Sequence, residues 1–225
     1  MENSAEGIKK NDDRWLQNIT NRFLAFLLVR LIAKSKIQPA YLTLFSLILG
    51  GTCALLLLQN LPLSRLFASI ILFSSLILDS ADGQLARLKK QISKKGDWFD
   101  KISDRIKENA ILISITYFLE KQMPDNGKNI WLIGALAIFS VNFMYYNLSL
   151  LKTNFSPKII LPSFLNRHLF LRNLISFGYG ERILYLSCLL AVNQPLAALW
   201  LVIIGCTFHI VLNSWWVLSQ AGQGD

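Results

Sequence analysis

The sequence predicts an all-α, polytopic membrane protein, with six transmembrane helices preceded by an N-terminal interfacial amphipathic helix. Three observations carry this expectation. Of 225 residues, 53% are hydrophobic and only 16% are charged, a balance too apolar for an ordinary soluble domain. The apolar residues collect in stretches at 40–58, 64–80, 108–120, 129–151, 173–192 and 196–218, several of which reach the roughly 18–20 residues that a bilayer crossing needs. Finally, the 23 Lys and Arg side chains are segregated along this pattern: with the N-terminus inside, only Arg65, Lys121 and Lys128 fall on the outer side. The positive-inside rule then places both termini on the cytoplasmic side of the membrane. The net charge of +9 belongs with anionic lipid headgroups, because the cations flank apolar spans. A nucleic-acid partner is not expected.

Residues 1–36 are expected to form a cytoplasmic tail and the interfacial helix, and 37–225 the six-span domain. From Arg14 to Lys36, the apolar residues Trp15, Ile19, Phe23, Phe26, Leu27 and Leu31 recur at spacings of three and four, with Arg22, Arg30 and Lys34 elsewhere on the helix. A true first span is the alternative, but Arg22 and Arg30 bracket its short apolar run. Pro39 opens span 1, where its missing N–H costs nothing. Gly50-Gly51 permits close helix approach within that span. Leu61-Pro62 marks the turn to span 2, which is expected to continue past the membrane edge as a helix to about Lys90. Lys89 to Lys95 is a short basic turn. Nothing between Gly96 and Glu120 breaks a helix, so the short third stretch is read as one long helix reaching back through Asp104 and Asp100. Met123 to Lys128 is the next turn, 153–171 the longest connection, and Asn193-Gln194-Pro195 the last turn. Cys53, Cys188 and Cys206 fall inside predicted spans with no CxxC spacing and read as small buried residues. His209 lies mid-span, where a packed, hydrogen-bonded residue is expected rather than a ligand.

The chemistry is concentrated in Asp79-Ser-Ala-Asp82-Gly83-Gln-Leu-Ala86-Arg87 and, eight residues on, Gly96-Asp-Trp-Phe-Asp100-Lys-Ile-Ser-Asp104. Carboxylates at the margin of a membrane helix are costly to desolvate, which marks a functional site. On a helix, Asp79, Gly83 and Arg87 share one face, with Asp82 and Ala86 beside them. Asp100 and Asp104 stand at i, i+4 on the following helix. Joined by a short turn, the two helices are expected to be antiparallel neighbours with four carboxylates facing a small space. Such a group requires neutralisation, and a pair of oxygen-bound divalent cations would supply it. Gly83 and Ala86 strip bulk from the same surface, so a flat group such as a nucleobase can approach, and Arg87 offers a fork of donors suited to phosphate. The competing reading is a polar seam of Asp–Lys and Asp–Arg pairs. It leaves unexplained why glycine and alanine share the acidic face, and why the residue four after Asp104 is Glu108 rather than a cation.

The pattern D-x2-D-G-x2-A-R-x8-G-x3-D-x3-D resembles the signature of the CDP-alcohol phosphotransferase (CDP-alcohol phosphatidyltransferase) family, and every fixed position is present. The resemblance implies that Asp79, Asp82, Asp100 and Asp104 hold two Mg²⁺ or Mn²⁺ ions and that Gly83, Ala86 and Arg87 receive the CDP moiety. It also implies that Asp104 takes the proton from the acceptor hydroxyl, CMP leaving without a covalent enzyme intermediate, and that the protein is a homodimer. Many members carry Pro-Asn near the start of span 1, with Thr a few residues on. Here the residues are Pro39-Ala40 and Thr43, so the asparagine's contact is lost, while Thr43 either faces the nucleotide or bonds back within its own helix. Glycerol-phosphate-using relatives often have Arg three residues after this threonine, where this chain has Ser46.

The expected function is therefore transfer of a phosphatidyl group from CDP-diacylglycerol to a polar alcohol in phospholipid biosynthesis. Lys152, Lys158, Arg167, Arg172 and Arg182 are candidates for binding an acceptor phosphate, Arg182 foremost, unless Glu181 pairs with it. Within the family, the alternative is a CDP-linked headgroup and a diacylglycerol acceptor. From another class, a membrane cation transporter could use intramembrane carboxylates, but Arg87 would repel its ion. A catalytically silent scaffold is the third reading, against which the four intact carboxylates argue.

Overall fold

The structure is a computed structural model that describes residues 20–59, 61, 63–154 and 177–221, with the backbone alone at 152, 216, 220 and 221. Among the described residues there are seven α-helices and no strand: α1 (Asn21–Ile32), α2 (Pro39–Leu58), α3 (Ser64–Leu88), α4 (Lys94–Gln122), α5 (Gly127–Asn154), α6 (Tyr179–Ala191) and α7 (Pro195–Ala221), with a 3₁₀ turn at Pro124–Asn126. Local chemistry sets their ends. Gln38 is extended ahead of Pro39, as a residue before proline prefers. The Ser93 hydroxyl caps α4 by accepting the Gly96 N–H at 3.0 Å. Between α3 and α4 the chain reverses at Lys90, whose φ of 54° is left-handed, while Gln91 N–H closes onto Ala86 C=O at 2.9 Å. That is a Schellman-type stop, and it returns α4 beside the helix that has just ended.

Helix α2 packs most extensively on α3 and α4, α6 packs on α3, and α7 packs on α5. Leu72 and Leu76 of α3, Ile111 and Ile115 of α4, Leu186 of α6 and Val202 of α7 share the main buried core. Phe67, Phe139 and Ile204 point outward, a distribution that suits an apolar surrounding.

Among the described residues, four helices are long and apolar enough to cross a membrane: Pro39–Leu58, Ser64–Leu88, Pro124–Leu151 and Pro195–Ser219. They match the first, second, fourth and sixth expected spans. The other two differ for physical reasons. Helix α4 carries the buried charged residues Asp104, Lys107 and Glu108 in its interior, which holds its hydropathy down. Helix α6 has 13 residues, and 155–176 ahead of it lie outside the described residues. Within the stretch expected to form the interfacial helix, a helix stands over Asn21–Ile32, and residues 14–19 lie outside the described residues. It rests on α3 through buried Asn21, Ala25 and Val29. Phe23 and Leu31 are exposed on it.

Close helix approach is built at Gly134 on α5, where an added Cβ would lie 2.5 Å from Thr116 Cγ2 of α4. Gly134→Ala should therefore lower stability by about 1–3 kcal/mol, read as a lower melting temperature of the detergent-solubilised protein. An unchanged melting temperature would show that Thr116 yields without cost.

Candidate metal and nucleotide site

The two acidic pairs arrive as their spacing predicts, Asp79 and Asp82 from α3, and Asp100 and Asp104 from α4. Single carboxylate oxygens of Asp79, Asp100 and Asp104 all lie within 4.8 Å of one another. Asp82 stands beside this trio and is engaged elsewhere: its Oδ2 accepts the Thr43 hydroxyl at 2.5 Å. Thr43 thus links α2 to the acidic face, and its longer approach to Pro39 C=O, 3.4 Å, is the minor contact.

The trio is neutralised in part by a residue that sequence reasoning missed. Lys107 Nζ donates to Asp79 Oδ1 at 2.6 Å and to Ser46 Oγ at 2.7 Å, and lies 3.1 Å from Asp104 Oδ1. Its spacing from Asp104 is i, i+3, a helical pair as local as the i, i+4 relation of Asp104 to Glu108. The polar-seam reading therefore holds for this one lysine, which pairs with both Asp79 and Asp104. It leaves acceptors to spare. Asp100 Oδ1 and Asp104 Oδ1 are buried without a hydrogen-bond donor, the Lys107 contact to the latter being ionic but not aligned as a hydrogen bond. Asp100 lies in the polar first part of α4, beside the Asp79 carboxylate. Hard oxygen donors left unsatisfied at this separation fit a divalent cation.

Two clefts meet at the acidic face. The larger, about 570 Å³, is lined by Pro39, Thr43, Asp82, Gly83, Ala86, Arg87 and Asp100, among others. The smaller, about 250 Å³, is lined by Asn21, Arg22, Ser80, Gln84 and Tyr179 together with Asp79. Asp82, Gly83, Arg87 and Asp100 form the wall common to both. Arg87 Nε and Gln84 Oε1 are buried without a hydrogen-bond partner. The Gly83 Cα faces open space except for Arg87 Nη1, 3.4 Å from where a Cβ would stand. The candidate nucleotide residues Thr43, Gly83, Ala86 and Arg87 are thus brought to one cleft.

Arg182, the foremost acceptor candidate, does not line either cleft. Arg182 is fully buried. Its Nε donates to Glu108 Oε1 at 2.6 Å and its Nη2 to Glu108 Oε2 at 3.0 Å; Nη1 donates to Phe177 C=O at 2.7 Å, and Nη2 also reaches the Tyr145 hydroxyl. The partner is Glu108, a residue 74 positions away, not the neighbouring Glu181. The Lys152 side chain, and Lys158, Arg167 and Arg172, lie outside the described residues. Cys53 and Cys206 are buried and Cys188 is exposed, all three unpaired. His209 Nδ1 shares a hydrogen bond with Asn213 at 2.8 Å.

Comparison with known proteins agrees with the motif. The chain is 29% identical over 152 residues to a protein of Archaeoglobus fulgidus named bifunctional IPC transferase and DIPP synthase, covering 68% of this chain and 28% of that protein. It is 33% identical over 110 residues to a protein of the same name from Thermococcus kodakarensis, covering 49% of this chain and 24% of the relative. The chain thus spans about a quarter of the length of the curated relatives it matches. Residues 36–160, more than half of the chain and the whole of the acidic site, match the CDP-alcohol phosphatidyltransferase family, and the chain belongs to that family.

Proposed function

We propose that the chain transfers a phosphatidyl group from CDP-diacylglycerol to a polar alcohol and releases CMP. The observation that carries this reading is the convergence of Asp79, Asp100 and Asp104, with Asp100 in the wall shared by two clefts of unequal size and Asp79 lining the smaller. The larger accommodates a nucleotide, and the smaller a compact polar molecule. Its likeness to proteins named as a transferase and synthase supports transfer rather than ion transport.

Asp79, Asp82, Asp100 and Asp104 would hold two Mg²⁺ or Mn²⁺ ions, whose chemistry is to stabilise the attacking and leaving oxygens of a displacement at phosphorus. The chain's own groups do the rest. Gly83 and Ala86 leave the cleft floor bare for cytosine. Arg87, with a buried Nε lacking an acceptor, donates to the diphosphate. Thr43 fixes Asp82 by its hydrogen bond. Asp104 accepts the proton of the acceptor hydroxyl. The acceptor oxygen forms the new bond to the lipid-bearing phosphorus, the bond from that phosphorus to the bridging oxygen breaks, and CMP departs with the electron pair. The acceptor occupies the smaller cleft. Gln84 Oε1, an unpaired acceptor, suits a substrate hydroxyl there, and Arg22 and Arg87 supply positive charge for a phosphate. We place the six-span topology, the interfacial seat of α1, the cytoplasmic termini and a homodimer in this same reading.

The test is CMP release from CDP-diacylglycerol with Mg²⁺, over paired alcohols with and without phosphate. Turnover is expected with at least one alcohol. Gly83→Leu should reduce it about a hundredfold or more by filling the nucleotide floor. Turnover with CDP-linked headgroups and diacylglycerol instead would overturn the donor assignment.

A further inference from the structure

Lys107 is 1% exposed, and a buried ammonium is costly unless every N–H is met. Three helices build its seat. Helix α3 supplies Asp79, which accepts at 2.6 Å. Its own helix supplies Asp104 one turn back, at 3.1 Å. Helix α2 supplies Ser46, which accepts at 2.7 Å, and one turn on, Gly50, where a Cβ would stand 2.7 Å from Lys107 Cγ. The Ser46–Gly50 pair, i and i+4, thus gives one strip of α2 to the lysine: a hydroxyl for its head and bare backbone for its stem. The Tyr179 ring of α6 lies 5.3 Å from Nζ, within cation–π range. This seat sits directly under the carboxylate trio.

We infer that Lys107 is a positioning residue, a resident cation that holds the Asp79 and Asp104 carboxylates together before any divalent ion arrives and that moderates the grip on that ion afterwards. The inference rests on the divalent reading of the preceding section. Without Lys107, mutual repulsion would drive Asp79 and Asp104 apart in a low-dielectric site. With it, each carboxylate keeps one oxygen outside the Lys107 contact, and the site enters the reaction already assembled. A fixed positive charge beside the ion also weakens binding, so the ion exchanges readily.

The experiment is Mn²⁺ titration by electron paramagnetic resonance on the full chain in detergent, paired with thermal melts in Mg²⁺ and in chelator. The wild-type chain should stay folded in chelator, because Lys107 already neutralises the centre, and gain only the few degrees in Mg²⁺ that binding of the ion to the folded state supplies. Lys107→Met keeps the apolar stem and removes the charge. It should bind Mn²⁺ more tightly, on the order of tenfold, and its melting temperature should fall in chelator and recover in Mg²⁺. Gly50→Ala, which displaces the lysine stem without removing charge, should tighten Mn²⁺ binding in the same direction by a smaller factor. Wild-type protein that unfolds in chelator, or either variant binding Mn²⁺ no more tightly than wild type, overturns the inference. A wild-type chain that binds no Mn²⁺ at all overturns the divalent reading itself, and the inference with it.

Discussion

Asp104→Asn should abolish CMP release while leaving CDP binding measurable. The substitution keeps the shape of the side chain, so the helix pair should stay in place. It removes the group assigned to take the acceptor's proton, a loss of about 10²–10⁴ in rate on that account alone. It also withdraws one donor from the trio with Asp79 and Asp100, which adds to the deficit. The nucleotide cleft is lined by other residues, Thr43, Gly83, Ala86 and Arg87 among them, so CDP affinity should fall far less than turnover. CMP release and CDP binding measured on the same preparation separate the two effects. Turnover within a few-fold of wild type would remove Asp104 as the base.

The parts of this site that were legible in the sequence are those set by local periodicity. Asp79, Gly83 and Arg87 sit one helical turn apart, as do Asp100 and Asp104, and the basic turn between the helices is short; three numbers of that kind suffice to predict a shared acidic face. Lys107 was half legible, since its i, i+3 relation to Asp104 is local but its seat at Ser46 and Gly50 on α2 is tertiary. Ser46 read alone signified only the loss of an arginine. In the folded chain it receives a cation delivered from α4. The topology was legible wherever a helix is apolar all round. It was harder to read at α4, because buried Asp104, Lys107 and Glu108 dilute the hydropathy of a helix that lies within the bundle.

Arg182 shows the same limit at longer range, and it sets the second large effect. A lone cation at the head of α6 reads as an acceptor ligand. Its actual partner, Glu108, is 74 residues away. The pair joins α4 to α6 through two contacts of 2.6 and 3.0 Å, and Tyr145 of α5 shares the same guanidinium. Glu108→Gln should therefore strand a buried charge and destabilise the fold by about 3–5 kcal/mol, seen as loss of monodisperse protein on extraction into detergent. The double variant Glu108→Met, Arg182→Met removes both charges while roughly preserving volume, and should recover most of that loss. Its kinetics decide the role of Arg182. If the guanidinium is committed to joining helices, the refolded double variant keeps the KM of wild type for a phosphorylated acceptor. If that KM rises tenfold or more while the KM for CDP-diacylglycerol is unchanged, Arg182 reaches the acceptor's phosphate after all, and the smaller cleft beside Arg22 and Arg87 is not where the acceptor binds.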